Sequence, residues 1–175
     1  MSTKKLFFAL WPSHRQREMM RNSINPTLSV VEGSPLDRRN WHITLVFIGD
    51  FPEAKIPGLQ VAVSLIEPGE IRLRFDTLSF WARPKIACLH AKTTPPELDH
   101  LVRTLQQTLI PFGYAPEERV YRPHITVARL ARAFPDITLA QPLNLTWDSF
   151  ELVESVSVRG GVEYHPLKQE LPTNS

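Results

Sequence analysis

His42-Ile43-Thr44-Leu45 and His124-Ile125-Thr126-Val127 are two copies of one pattern in a chain of 175 residues. A lone His-x-Thr means little. With 6 histidines and 12 threonines in this chain, chance alone yields about 0.4 of them. Two copies, each followed by an aliphatic residue, each inside a strand-like run and 82 residues apart, mark a shared site. On a strand, residues two apart share a face, so His and Thr of each motif point one way and the aliphatic residues the other. Imidazole, with an unperturbed pKa of about 6.5, serves either as proton acceptor or as proton donor near neutrality. Two such rings on opposite sides of a phosphorus atom suit in-line displacement. One takes a proton from the attacking oxygen, and the other gives one to the leaving oxygen. The threonine hydroxyls donate to the non-bridging oxygens, where charge grows in the transition state. The repeat by itself does not order the two rings as donor and acceptor.

The elements that must position these motifs also occur twice. Leu6 to Trp11 is an all-apolar run, the pattern of a strand buried on both faces. A helix is expected from Ser13, a fitting N-cap, to Ile24, with Met19, Met20 and Ile24 at helical spacing. A motif strand follows from Trp41 to Ile48, ended by Gly49-Asp50. Leu59, Ala62, Val63 and Ile66 predict an amphipathic helix between Pro57 and Glu67, stopped by Pro68-Gly69. Ile71 to Phe80 alternates as a half-exposed strand.

The second half begins again with an apolar strand, Lys85 to Ala91. A helix opens at Thr94-Pro95-Pro96, carries a stripe of Leu98, Leu101, Val102, Leu105 and Leu109, and ends at Pro111 and Gly113. The second motif strand is expected from Arg122 to Leu130, and a loop-like stretch from Arg132 to Pro142. Phe150 to Val158 and Val162 to Leu171 read as a hairpin joined at Arg159-Gly160-Gly161, with Pro166 favouring an edge position. The first strands lie 80 residues apart, counted from Leu6 to Ile86, against 82 for the histidines. Leu73 to Leu78 also echoes Leu145 to Phe150. The expectation is one α+β domain over residues 1–175, made of two pseudo-symmetric lobes with a cleft between them.

Bulk properties exclude other classes. A net charge of +2 is too mild for a non-specific nucleic-acid coat. The one cysteine, Cys88, sits in an apolar run and permits neither an intrachain disulfide nor a cysteine-based zinc site. Lys4-Lys5 and the apolar run after them are too short for a signal sequence, and no segment approaches a membrane span. A cytoplasmic protein is expected.

Asn40-Trp41-His42-Ile43-Thr44-Leu45-Val46-Phe47-Ile48-Gly49 and Arg122-Pro123-His124-Ile125-Thr126-Val127-Ala128-Arg129 resemble the paired motifs of the 2H phosphoesterases. The branch is that of the LigT/ThpR-type RNA 2′,3′-cyclic phosphodiesterases, and the similarity runs from about Lys5 to Leu171. Lys5 to Leu10 resembles that branch's opening strand. The resemblance implies a bilobal fold of two mainly antiparallel sheets flanking a cleft, with helices outside. It implies metal-independent opening of a 2′,3′-cyclic phosphate to a 2′-phosphomonoester, with no cofactor, and 2′–5′ RNA ligation as the reverse activity. It orders the pair: His42 as proton donor and His124 as proton acceptor, assisted by Thr44 and Thr126. The partner is then RNA or a nucleotide with a 2′,3′-cyclic phosphate, acted on by a protein expected to be a monomer. Val127 departs from the leucine common at its position.

Arg129 matches the family arginine expected to bind phosphate. Strand parity places it opposite His124, so the strand must end or bulge near Ala128 for it to reach the cleft. Arg122 shares parity with His124 and is a second candidate for the anion. Asn40 bears the same relation to His42, which it could orient, or it caps a turn. Phe7 is a candidate to stack a base. Arg38, Arg39, Arg119 and Arg132 could form a basic rim, while His14, His90, His100 and His165 read as surface or incidental. Three rivals stand beside this reading: zinc held by His42 and His124, an RNA-end-binding module without chemistry, and a related phosphodiesterase for ADP-ribose cyclic phosphate or 2′–5′ oligoadenylate.

Overall fold

The structure is a computed structural model describing residues 2–168. Two antiparallel sheets form it. Strands β1 (Thr3–Leu10), β3 (Ile43–Pro52), β8 (Glu151–Val158) and β9 (Gly161–Pro166) make one, in the order β3-β1-β8-β9. The other runs β2-β6-β5-β4-β7, from β2 (Ser34–Pro35), β6 (His124–Arg129), β5 (Ile86–His90), β4 (Ile71–Trp81) and β7 (Ile137–Trp147). Three helices accompany them: α1 (His14–Leu28), α2 (Ile56–Val63) and α3 (Pro96–Leu109). Helix α1 lies against β7, and α3 against α2 and β3. Among the described residues, no helix is long and apolar enough to cross a membrane.

Local sequence accounts for most elements. Ser13 caps α1 through a capping box: its hydroxyl accepts from Gln16 N–H, and Gln16 Oε1 accepts from Ser13 N–H. The helix runs one turn past the expected Ile24, and Met19 faces solvent while Met20 and Ile24 are buried. Helix α3 buries all five stripe residues, each contributing about 1.5–3 kcal/mol of hydrophobic stabilisation. Helix α2 is shorter than its periodicity predicts, and Ala62 is exposed.

Three expectations are corrected by long-range pairing. Strand β3 continues through Gly49, at φ +83°, because β1 supplies partners as far as Pro52. The stretch after Arg132 is not all loop: β7 starts at Ile137 and pairs with β4 at Ile137 and Thr138 and again from Leu143 to Trp147, residues 139–142 forming an irregularity between them. It is an edge strand, so Gln141-Pro142 costs no interior ladder bond and polar residues face water. The last strand stops at Pro166 and is an edge strand of the other sheet, and residues 169–171 of the expected strand lie outside the described ones.

The internal repeat is real, but its halves are not the sheets. After the first motif unit the chain crosses over, and β4 pairs with β5 of the second unit. The chain returns at the end, when β8 pairs with β1. The motif strands β3 and β6 therefore belong to different sheets and do not pair with each other. The registers match within each unit. Ala9 faces Thr44 as Cys88 faces Thr126, Phe8 faces Val46 as Ala87 faces Ala128, and Phe7 faces Phe47 as Ile86 faces Arg129. The structural equivalent of Ile86 is thus Phe7, one residue away from the Leu6 suggested by sequence. Leu45 and Val127 are the extra residues of two equivalent bulges.

Candidate active site

Both motif histidines, both threonines, Arg122 and Arg129 line one cavity of about 890 Å³. His42 immediately precedes β3 and His124 opens β6, and each is held by the carbonyl two residues earlier. His42 Nδ1 lies 2.7 Å from Asn40 O, and His124 Nδ1 lies 2.9 Å from Arg122 O. A carbonyl only accepts, so Nδ1 carries a proton in both rings and Nε2 is the atom that exchanges one. His42 Nε2 meets Thr44 Oγ1 at 2.8 Å.

Aromatic side chains frame the rings. Phe7, Tyr164 and Trp11 lie 4.9, 5.1 and 6.0 Å from His42 between ring centroids. Trp81 lies 4.5 Å from His124. Each indole carries a guanidinium: Arg17 is 4.8 Å from the Trp11 ring and Arg122 is 4.0 Å from that of Trp81. Burial pulls His42 down to about 4; the Asn40 carbonyl opposes this, and the charges of His124, Arg17 and Arg129 add to it. His124 is also lowered, by burial first, with the Arg122 carbonyl opposing and Arg122 and His90 adding. In the free site both shifts favour the neutral imidazole.

The bulge at Val127 decides the position of Arg129. Skipping one residue restores its parity with His124, and it stands on the cleft face across from Ile86. Its Nη2 donates to Tyr164 Oη at 2.7 Å. The equivalent bulge at Leu45 brings Phe47 to the same place in the first unit, where it is 60% exposed and lines the cavity. Arg122 reaches the cavity while covering Trp81.

Two candidates change role. The Asn40 side chain points away from the cleft and donates to Val162 O at 2.8 Å, tying the segment before β3 to β9; only its carbonyl touches His42. Phe7 is 4% exposed, its ring packed against His42 and Tyr164, so it offers no free face to a base. His90, expected to be incidental, is the ladder partner of His124 and lies 6.2 Å from Trp81. Of the basic rim, Arg119 lines the cavity, whereas Arg38, Arg39 and Arg132 do not. Sequence spacing singles out neither Trp11, Trp81, Tyr164 nor Tyr121, whose hydroxyl donates from the segment before β6 to Thr44 O at 2.8 Å. Phe47 was visible only as a strand residue, because its face depends on the bulge.

Comparison with known proteins places this geometry. Residues 10–88 match the family model for LigT like Phosphoesterase. The RNA 2′,3′-cyclic phosphodiesterase of Escherichia coli (strain K12) is 27% identical over 170 residues, 95% of each chain. The protein of the same name from Bacillus subtilis (strain 168) is 33% identical over 100 residues, 54% of this chain and 52% of that one. The crystal structure of E. coli LigT complexed with 3′-AMP superposes with a TM-score of 0.85 at 26% identity, covering 95% of this chain and 97% of that one. With two bulged His-x-Thr strands lining one cleft of a two-sheet α+β fold, this chain is similar in sequence and structure to the LigT like phosphoesterases.

Proposed function

We propose that the protein hydrolyses the 2′,3′-cyclic phosphate of an RNA or nucleotide end to a 2′-phosphomonoester. The observation that carries this reading is the convergence of His42 and His124, each fixed by a carbonyl on Nδ1, on one cavity also lined by Thr44 and Thr126. His124 Nε2 takes a proton from water as it attacks phosphorus. His42 Nε2 gives its proton to the departing 3′ oxygen on the far side. Thr44, Thr126 and Arg129 hold the non-bridging oxygens. The departing oxygen stays on the ribose, so the nucleoside lies on the His42 side. There Phe47, about 7 Å along the strand from Thr44, offers its exposed ring to the base. With a 5′-hydroxyl in place of water as the nucleophile, the same groups form a 2′–5′ linkage: P–O3′ breaks, P–O5′ forms and the 3′ oxygen takes the proton from His42. The names of the relatives support this substrate class.

The test is hydrolysis of 2′,3′-cyclic AMP in the presence of a strong chelator, with the product isomer identified by phosphorus NMR. A 3′-phosphate product, or activity lost to the chelator, sinks the reading. The pH profile is a sharper test. Turnover needs one ring neutral and the other protonated, and kcat/KM reports the free enzyme. Burial lowers both rings there, so the singly protonated form peaks below pH 6.5 and kcat/KM falls as pH rises above that peak. Bound phosphate raises proton affinity, so the optimum for kcat lies at higher pH than that for kcat/KM. A kcat/KM optimum above pH 7 contradicts this assignment. Arg129→Ala raises KM about tenfold or more, the effect of losing a charge-assisted hydrogen bond to phosphate; an unchanged KM removes it from the site.

A further inference from the structure

We propose that Tyr164 is a substrate-contacting residue whose hydroxyl donates a hydrogen bond to a non-bridging phosphate oxygen beside Arg129. The proposal rests on the phosphodiesterase reading of the cleft. Tyr164 lies on β9, two strands away from β1, opposite Ser155 in the β8 ladder. Its ring leans over the cleft face of that sheet, packing with Phe7, Ala9 and Val153, and reaches the edge of the His42 ring. Its hydroxyl crosses to the other sheet and accepts from Arg129 Nη2 at 2.7 Å. A phenol has one proton to donate and two lone pairs to accept with. The guanidinium occupies an acceptor position, and among the described residues the hydroxyl donates to no protein group. Its proton is therefore free, and the hydroxyl stands on the wall of the cavity shared by His42, His124 and both threonines.

An anion drawn to Arg129 meets this hydroxyl at the same time. Tyr164 then acts twice: it holds the guanidinium toward the cleft, and it adds a neutral donor to the pair supplied by Thr44 and Thr126. No bond is made or broken at Tyr164, and no proton leaves it. The residue lies outside the segment matched by the family model and on a different sheet from Arg129, so nothing in either motif predicts it.

Tyr164→Phe keeps the ring and its packing and removes only the hydroxyl. The expected result is an unchanged melting temperature, a loss of about tenfold to a hundredfold in kcat/KM carried largely by kcat, and weaker binding of inorganic phosphate by calorimetry. Combined with Arg129→Gln, the losses are less than additive, because the two groups act on one oxygen and on each other. His124→Ala serves as the control on the reading beneath. If His124→Ala remains active, the phosphodiesterase assignment of the cleft fails. If His124→Ala is inactive while Tyr164→Phe stays within twofold of the parent in both kcat/KM and phosphate affinity, the Tyr164 proposal alone is overturned. A lowered melting temperature with unchanged phosphate affinity overturns it equally, by reducing the hydroxyl to a structural contact.

Discussion

His42→Ala and His124→Ala each lower kcat for a 2′,3′-cyclic nucleotide by about 10²–10⁴-fold, the usual cost of losing one positioned proton-transfer group. The two losses part company when sulfur replaces the 3′ oxygen of the cyclic phosphate. A thiolate departs without being protonated, since a thiol is far more acidic than an alcohol. His42→Ala then recovers most of its rate and His124→Ala recovers none, if His42 is the donor and His124 the base. Recovery in the other variant would exchange the roles. The experiment matters because the two rings are nearly equivalent by geometry: each starts a bulged strand, each gives Nδ1 to a carbonyl, and each rests near an indole topped by arginine. Differences remain in burial and neighbours. His42 is driven down to about 4 and lies among Phe7, Trp11 and Tyr164, whereas His124 lies beside Trp81 and His90. If His42 is the donor, the substrate's own negative charge must raise its proton affinity to load it.

Phe8→Ala destabilises the fold by about 3–5 kcal/mol. Phe8 is wholly buried, packed edge-on against Phe150 in the core that spans both sheets. Removing its ring leaves a cavity in the middle of β1, a strand paired on both sides, which cannot collapse without breaking ladders to β3 and β8. Chemical denaturation measures the effect, and a loss under about 1 kcal/mol would show that this region relaxes freely. Phe47→Ala provides the contrast. That ring is mostly in solvent, so the same change leaves stability within about 0.5 kcal/mol.

The neighbouring phenylalanines of β1 show what kind of information each level holds. Alternation along a buried strand sends Phe7 and Phe8 to opposite faces, and this much is readable from the residues. Which face is core and which is cleft depends on what packs there. Phe8 meets Phe150, more than a hundred residues away, while Phe7 meets His42 and Tyr164. The expectation that Phe7 stacks a base rested on the cleft face being open at that point, and the imidazole closes it.

From sequence alone the chain already determined its chemistry and most of its elements. The duplicated His-x-Thr, the common face within each motif, the capped helix at Ser13 and the apolar stripe of α3 all follow from spacing over a few residues, where backbone geometry makes periodicity a reliable guide. Tertiary structure alone decided the exchange of strands between units, the register, and hence the company each histidine keeps. Bulges at Leu45 and Val127 arise from pairing with β1 and β5, and they turn Phe47 and Arg129 into the cleft. Tyr164 joins the site from a distant strand and Tyr121 from the segment before β6, each through a single hydrogen bond. Such contacts link residues whose separation along the chain bears no relation to their separation in space, so no local pattern can announce them.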